Sequence, residues 1–345
     1  MAPSRGTGRL LSARHSGRSV VTPDELHGTA STFQLEAVPL DGPHRQWPET
    51  NCYIDLWLSL LSLWGEEPRA MLGFLAATGY AGDQFTFGKP PHPELELLYG
   101  IRVEEMTVYR SLEAHLGTHA NAGRPVLMEA DSHWMPDTQG TDYRHGHTKT
   151  TIGVLGIDPA AARLTYIHNR FHGSLAGDDY RGILWQEPAP PSNWMPPFAE
   201  VVERHAGAPR GRQLAEAAKV LLLRHLDRAP ADPFAAMADL LATEMEQLRL
   251  GGPEAFHPWA FATLRQAGAA FELLGIHASW LGAELGRDTA EATEACARLA
   301  SGCKALQFRA ARAARGGDTG VLSASIRALG EDRGIALASL RKAFG

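Results

Sequence analysis

Hydrophobic positions fall into two textures along the chain. Up to about residue 187 they form short runs separated by polar, glycine- and proline-rich stretches; beyond about 198, Ala, Leu, Arg and Glu recur at helical spacing. The densest run is Tyr53 to Trp64, where Tyr53, Ile54, Leu56, Trp57, Leu58, Leu60, Leu61, Leu63 and Trp64 are apolar. Closed by Gly65 and preceded by the capping residues Thr50 and Asn51, it predicts a buried helix whose first turn contains Cys52. Residues 23–46 hold short apolar pieces that predict a lead-in or edge strand. Pro68 opens a second helix running to Thr78. Gly82 to Pro91 is an aromatic and proline-rich loop, and a short helix follows from Pro93 to Gly100.

Alternation predicts a strand over Ile101–Tyr109, then a helix capped by Ser111, then a strand over Pro125–Ala130. A polar loop, Asp131 to Gly146, leads into a β-branched strand over Thr148–Ile157. After the turn Asp158–Arg163, Leu164–Asn169 returns as its partner. In an antiparallel hairpin the start of one strand lies beside the end of the next, so His147 and Asn169 are expected at one sheet edge. Five prolines between Glu187 and Pro197 rule out a regular element there and mark a junction. Helices are expected over 198–206, 210–227, 233–249, 257–285, 288–315 and 319–343. The expected fold class is α+β: a flexible tail over 1–29, a papain-like half over 30–187 with the Cys52 helix on an antiparallel sheet, and a helical half over 198–345.

Composition narrows the function. With 44% hydrophobic and 21% charged residues the chain has the balance of a soluble globular protein, and its net charge of −6 argues against a general nucleic-acid binder. Three cysteines make no disulfide framework, which points to a reducing compartment. No apolar run reaches the roughly 18 residues that cross a membrane. The Arg-, Ser- and Gly-rich start lacks a signal-peptide core, so a cytoplasmic location is expected.

A thiolate nucleophile needs an imidazole as base and a third group to orient it. Cys52, His147 and Asn169 supply these in the order Cys, His, Asn, on a helix start, a strand start and the neighbouring strand end. A helix start also favours the thiolate, through free backbone N–H groups and the dipole. The alternative is that Cys52 is a small buried hydrophobe. Gln46, or Gln84 as its rival, could join the Cys52 backbone N–H in holding an oxyanion. Asn51, Asp131, Trp134 and Lys149 complete the candidate substrate-facing set. The rival reading of the histidines is a metal site at His145 and His147, with His133, Asp131, Asp137 and Asp142 near in sequence. No H-E-x-x-H helix or close-set cysteine pair supports it. Cys296 and Cys303, seven apart on one helix, read as a buried pair. Basic stripes on the C-terminal helices (Arg204, Arg210, Arg212, Lys219, Arg224; Lys304, Arg309, Arg312, Arg315) read as a solvated face or a docking surface for an acidic partner.

Trp47-Pro-Glu-Thr-Asn-Cys-Tyr-Ile-Asp-Leu-Trp57, Gly82-Asp-Gln-Phe-Thr-Phe87, Asp137-Thr-Gln-Gly-Thr-Asp-Tyr143 and His147-Thr-Lys-Thr-Thr-Ile152, in that order, resemble the bacterial domain-of-unknown-function 1839 family over most of the chain after about residue 30. That family resembles papain-like cysteine enzymes and the butirosin-type acyltransferases, which move an aminoacyl group from a carrier-protein thioester to an amine. The resemblance implies Cys52 as nucleophile, His147 as base and Asn169 as its orienting residue. Gln46 departs from the family pattern. The expected function is acyl or aminoacyl transfer through a Cys52 thioester. The expected partners are an acyl carrier protein and a small-molecule amine, with no cofactor beyond the donor's phosphopantetheine arm and no nucleic-acid or membrane partner. A cysteine peptidase or amidase with the same triad is one alternative. A non-catalytic binding module or a histidine metal site is the other.

Overall fold

The computed structural model describes residues 45–187, 195–316 and 318–345. The expected tail, the lead-in strand but for its last residues, and most of the proline-rich junction lie outside them. Helix α1 (Cys52–Leu63) starts where Asn51 Oδ1 accepts the Ile54 N–H at 3.0 Å. It is apolar on nearly all sides because it is buried on nearly all sides, with Tyr53, Ile54, Leu56, Trp57, Leu60 and Leu61 each at most 2% exposed. Its one buried charge, Asp55, is met by Arg45 at 3.0 Å. A short 3₁₀ helix (Pro68–Ala77) and α2 (His92–Tyr99) follow; Gly100, in the left-handed region at φ 64°, ends α2 and turns the chain into the sheet.

The sheet is antiparallel throughout, in the order β1-β6-β2-β3-β4-β5. Its strands are β1 (Ile101–Glu105), β2 (Val126–Asp131), β3 (Lys149–Asp158), β4 (Arg163–His168), β5 (Phe171–Ala176) and β6 (Ala199–Arg204). One face, with Leu127, Gly153, Leu155, Ile167 and Val202, packs against α1. Gly153 is glycine because a Cβ there would sit 3.0 Å from Leu56 Cδ1. Farther along the helix, Ser59 Oγ donates to the Asn169 carbonyl at 2.5 Å. The other face, with Met128, Ile152, Val154 and Tyr166, is covered by α3 (Leu112–His119) and α4 (Asp178–Ile183). The fold is therefore α+β.

Residues 198–206 are not the expected helix: they contain β6, which fills the slot between β1 and β2. Ala199 and Glu200 read as helical, but the β-branched pair Val201-Val202 and two waiting strand edges outweigh that preference. The chain beyond the junction thus returns to complete the sheet before the helical region begins. That region comprises α5 (Arg212–Asp227), α6 (Pro233–Gly251), α7 (Pro253–Ala260), a π-helical turn (Phe261–Arg265), α8 (Gln266–Leu285), α9 (Ala290–Ala313) and α10 (Thr319–Phe344). The expected single helix 257–285 starts earlier and is interrupted by the π-turn, which follows Pro258.

One apolar core runs from Trp47 and α1 through the 3₁₀ helix into α5, α6, α8, α9 and α10. Polar ties cross the same boundary. The Glu272 carboxylate of α8 accepts the Gln46 and Trp47 backbone N–H groups, Trp47 Nε1 donates to Ala300 O at 3.0 Å, and His277 Nδ1 donates to Arg69 O at 2.8 Å. Among the described residues no helix is long and apolar enough to cross a membrane.

Candidate functional site

β2 and β3 pair Asp131 with Lys149, so the segment just before β3 returns beside the end of β2. Asp131 ends β2 and caps the turn after it: its Oδ1 accepts the His133 N–H at 3.0 Å. Its other oxygen accepts the His147 Nδ1–H at 2.7 Å. The His133 ring stacks on the His147 ring, 4.4 Å between centres and 4° from parallel, and is fixed by its own Nδ1–H donating to Gly146 O at 3.1 Å. His147 is 68% exposed in its side chain, and its Nε2 has no hydrogen-bond partner among the described residues. An imidazole oriented through Nδ1 by a carboxylate, with Nε2 turned to solvent, is the arrangement of a general base.

The loop that carries these rings is pinned on the opposite face of the sheet. Asp137 accepts Tyr166 Oη–H with one carboxylate oxygen and His168 Nδ1–H with the other, the latter at 2.6 Å. His168 Nε2 then accepts Thr150 Oγ1–H at 2.8 Å and Asn169 Nδ2–H at 3.2 Å. His168 and Asp137 are each 7% exposed in their side chains, so this second carboxylate–imidazole pair is a buried clasp. Trp134 lies flat on Gly182 of α4, where a Cβ would come within 2.1 Å of the indole, with the Arg144 guanidinium 4.7 Å over its ring. Arg144 is held in turn by Asp179.

The expected site residues are only partly brought together. Asn169 does not orient His147; it bonds His168, because β4 ends there and Asn169 turns into the left-handed region at φ 49°. Asp131, expected to face substrate, is the residue that orients His147. Gln46 Nε2 donates to Ser301 Oγ of α9 at 2.7 Å, which ties it to the helical half and away from any oxyanion. Gln84 sits in the exposed turn between Tyr80 and Phe85, and its side chain has no partner among the described residues. Asn51 caps α1 and uses its amide on Gly88 O at 3.0 Å. Lys149 bonds Glu129 at 2.6 Å across the strands.

Cys52 is the first residue of α1 and is partly exposed, on the helix that packs over the face of β2 bearing Leu127 and, by alternation, Asp131. Among the described residues no hydrogen bond joins its sulfur to an imidazole; His147 is engaged by Asp131 and His133. Cys296 and Cys303 are fully buried in α9, and burial pushes both thiols up to about 12. Among the described residues no group of three or more His, Cys, Asp or Glu is set to hold a metal ion.

Sequence reasoning missed the pairing of Asp131 with His147 and the His133 stack. The signal was present in Asp131-Ser-His133, a carboxylate and an imidazole at a strand end facing a second imidazole at the next strand's start.

The DUF1839 N-terminal domain matches residues 36–204, and the DUF1839 C-terminal domain matches 211–334. No curated protein matches the chain.

Proposed function

From the premise that this chain belongs to the DUF1839 family, we propose that it is a cytoplasmic acyltransferase that moves an aminoacyl group from a carrier-protein thioester to an amine, through a thioester on Cys52. The observation that carries the reading is the Asp131–His147 pair, with the His147 side chain 68% exposed and its Nε2 unpaired among the described residues. Cys52 supports it as the one partly exposed cysteine, at the capped start of a buried helix as in papain-like enzymes.

The steps balance without a cofactor. Cys52 Sγ attacks the donor thioester carbonyl and its proton passes to His147. The C–S bond to the donor arm breaks, and the arm sulfur takes that proton. The acceptor amine then attacks the Cys52 thioester, gives a proton to His147, and Sγ leaves as the thiol. Asp131 fixes the tautomer and stabilises the imidazolium at each stage. Exchange between thioesters is close to neutral in energy, so positioning and proton transfer are what the protein must supply.

A second reading comes from the absence, among the described residues, of a bond between the Cys52 sulfur and an imidazole. Here His147 deprotonates the acceptor amine directly, the amine attacks the carrier thioester, and no acyl-enzyme forms. One experiment separates the two. The protein is mixed with an aminoacyl-loaded carrier protein and followed by intact mass, with and without an amine. An adduct on Cys52 that is absent in Cys52→Ala supports the first reading. Turnover that survives Cys52→Ala but falls at least about a hundredfold in His147→Ala supports the second. Cleavage of simple peptides with no carrier-protein reaction overturns both in favour of a peptidase.

A further inference from the structure

Beside the start of α1 lies a cluster that the transfer steps do not use. Tyr53, the residue after Cys52, is 2% exposed, and its hydroxyl donates to Glu200 Oε2 of β6 at 2.7 Å. Burial, reinforced by Glu200, raises the Tyr53 phenol well above its ordinary value, so it stays a donor at any working pH. His92, at the first position of α2, reaches the same phenol oxygen at 3.1 Å and Glu200 Oε1 at 3.4 Å. The Glu200 side chain is only 5% exposed.

Against the ring of Tyr53 stands Lys89, an exposed residue. Its ammonium lies 4.7 Å from the centre of the Tyr53 ring and 5.5 Å from that of Phe198. Among the described residues no carboxylate pairs with it. An ammonium held by two aromatic faces is the chemistry of a cation-recognition site, and one of these rings carries a hydroxyl bonded to a buried carboxylate. Here the occupant is a flexible side chain from an exposed loop. The cluster sits next to both halves of the proposed machinery. Asn51 Nδ2 holds Gly88 O at 3.0 Å, which fixes Lys89 beside the residue preceding Cys52. Phe198 N–H reaches Glu129 Oε2 at 3.4 Å, and Glu129 holds Lys149, the partner of Asp131 in the sheet.

We propose that Tyr53, Phe198 and Glu200 form the site for the protonated α-amino group of the transferred aminoacyl unit, with Lys89 occupying it until substrate arrives. The inference rests on the transfer reading and names its substrate class: an α-amino acyl thioester in preference to a plain acyl thioester. Lys89 swings out to solvent, and the substrate ammonium takes its place over the rings, with the Glu200 carboxylate bonded to the Tyr53 hydroxyl adding to the field that favours a cation. His92 and Tyr53 hold that carboxylate in position.

The test compares alanyl-pantetheine with propionyl-pantetheine, which differ at the α-amino group. Binding is measured by calorimetry on the full-length Cys52→Ala protein, and loading by intact mass on the native protein. The expected result is at least about tenfold tighter binding of the alanyl form. Glu200→Gln and Tyr53→Phe should shrink that preference toward one. Lys89→Ala, which empties the site, should strengthen alanyl binding and leave propionyl binding unchanged. Lys89→Ala removes nothing from the core, so it still tests the site if a Glu200 or Tyr53 variant fails to fold. Equal binding of the two thioesters, or a preference untouched by Tyr53→Phe and Lys89→Ala, overturns the site. A preference with no Cys52 adduct keeps the site and removes the covalent step; an adduct with no preference does the reverse.

Discussion

His277 makes the folded chain sensitive to acid. It is fully buried on α8; its Nδ1–H donates to Arg69 O, and its Nε2 is buried with no partner among the described residues. Burial lowers its pKa from 6.5 to about 4, partly opposed by the bond to Arg69 O and helped by nearby His225. The folded-state value is depressed, so the unfolded chain binds a proton below pH 6.5 that the folded chain refuses until about 4. Its contribution is intact above pH 6.5 and is lost as pH falls through that window. At pH 5 the loss is about 1.5 pH units at 1.36 kcal/mol each, or about 2 kcal/mol, approaching about 3 kcal/mol near pH 4. Urea unfolding at pH 7 and pH 5 measures it. His277→Asn keeps an N–H for Arg69 O but cannot titrate. Its stability should fall by about 2 kcal/mol less than the native chain's between the two pH values. If both proteins lose the same stability, the reasoning is refuted.

Two further outcomes are expected. Asp137→Asn places an amide N–H against one of two buried donors, Tyr166 Oη–H or His168 Nδ1–H, and should cost about 1–3 kcal/mol. Hydrogen exchange should then accelerate across 131–147, and unchanged exchange there would dissociate the clasp from the loop. In the native protein at pH 8 iodoacetamide should label Cys52 alone. Thiols pushed to about 12 hold a thiolate fraction of about 10⁻⁴ there, and Cys296 and Cys303 are also sealed from reagent. Labelling of either at a rate comparable to Cys52 would contradict the burial.

What was legible in the sequence was local. The apolar run with its cap gave α1 to within a residue, and the turn residues around Asp158 gave the β3–β4 hairpin. The spaced Leu and Ala positions gave the C-terminal helices. What was not legible depended on partners distant in the chain. Ala199–Arg204 is a strand because β1 and β2 leave a slot for it, a fact no window of its own residues contains. The hairpin argument correctly brought the start of β3 near the end of β4. It could not tell which face each side chain takes once Asn169 turns to positive φ, so it gave His147 the wrong orienting residue. Asp131 was visible as a neighbour and invisible as a hydrogen-bond acceptor. Gln46 was read against the cysteine six residues on, whereas its partner lies 255 residues away.

The Trp47 seam has a consequence for dividing the chain. The two family regions meet near residues 204–211, an exposed and irregular stretch that looks like a natural place to cut or to insert. Yet the stretch just before the first region's helix is buried in the second: the Trp47 indole ends on Ala300, and a Cβ at Gly268 would come within 2.5 Å of its ring. Cut apart, the second region would keep an indole-shaped hole and the first would carry a bare indole in water. The two regions share one core across that seam, and a chain cut there would expose apolar surface on both sides.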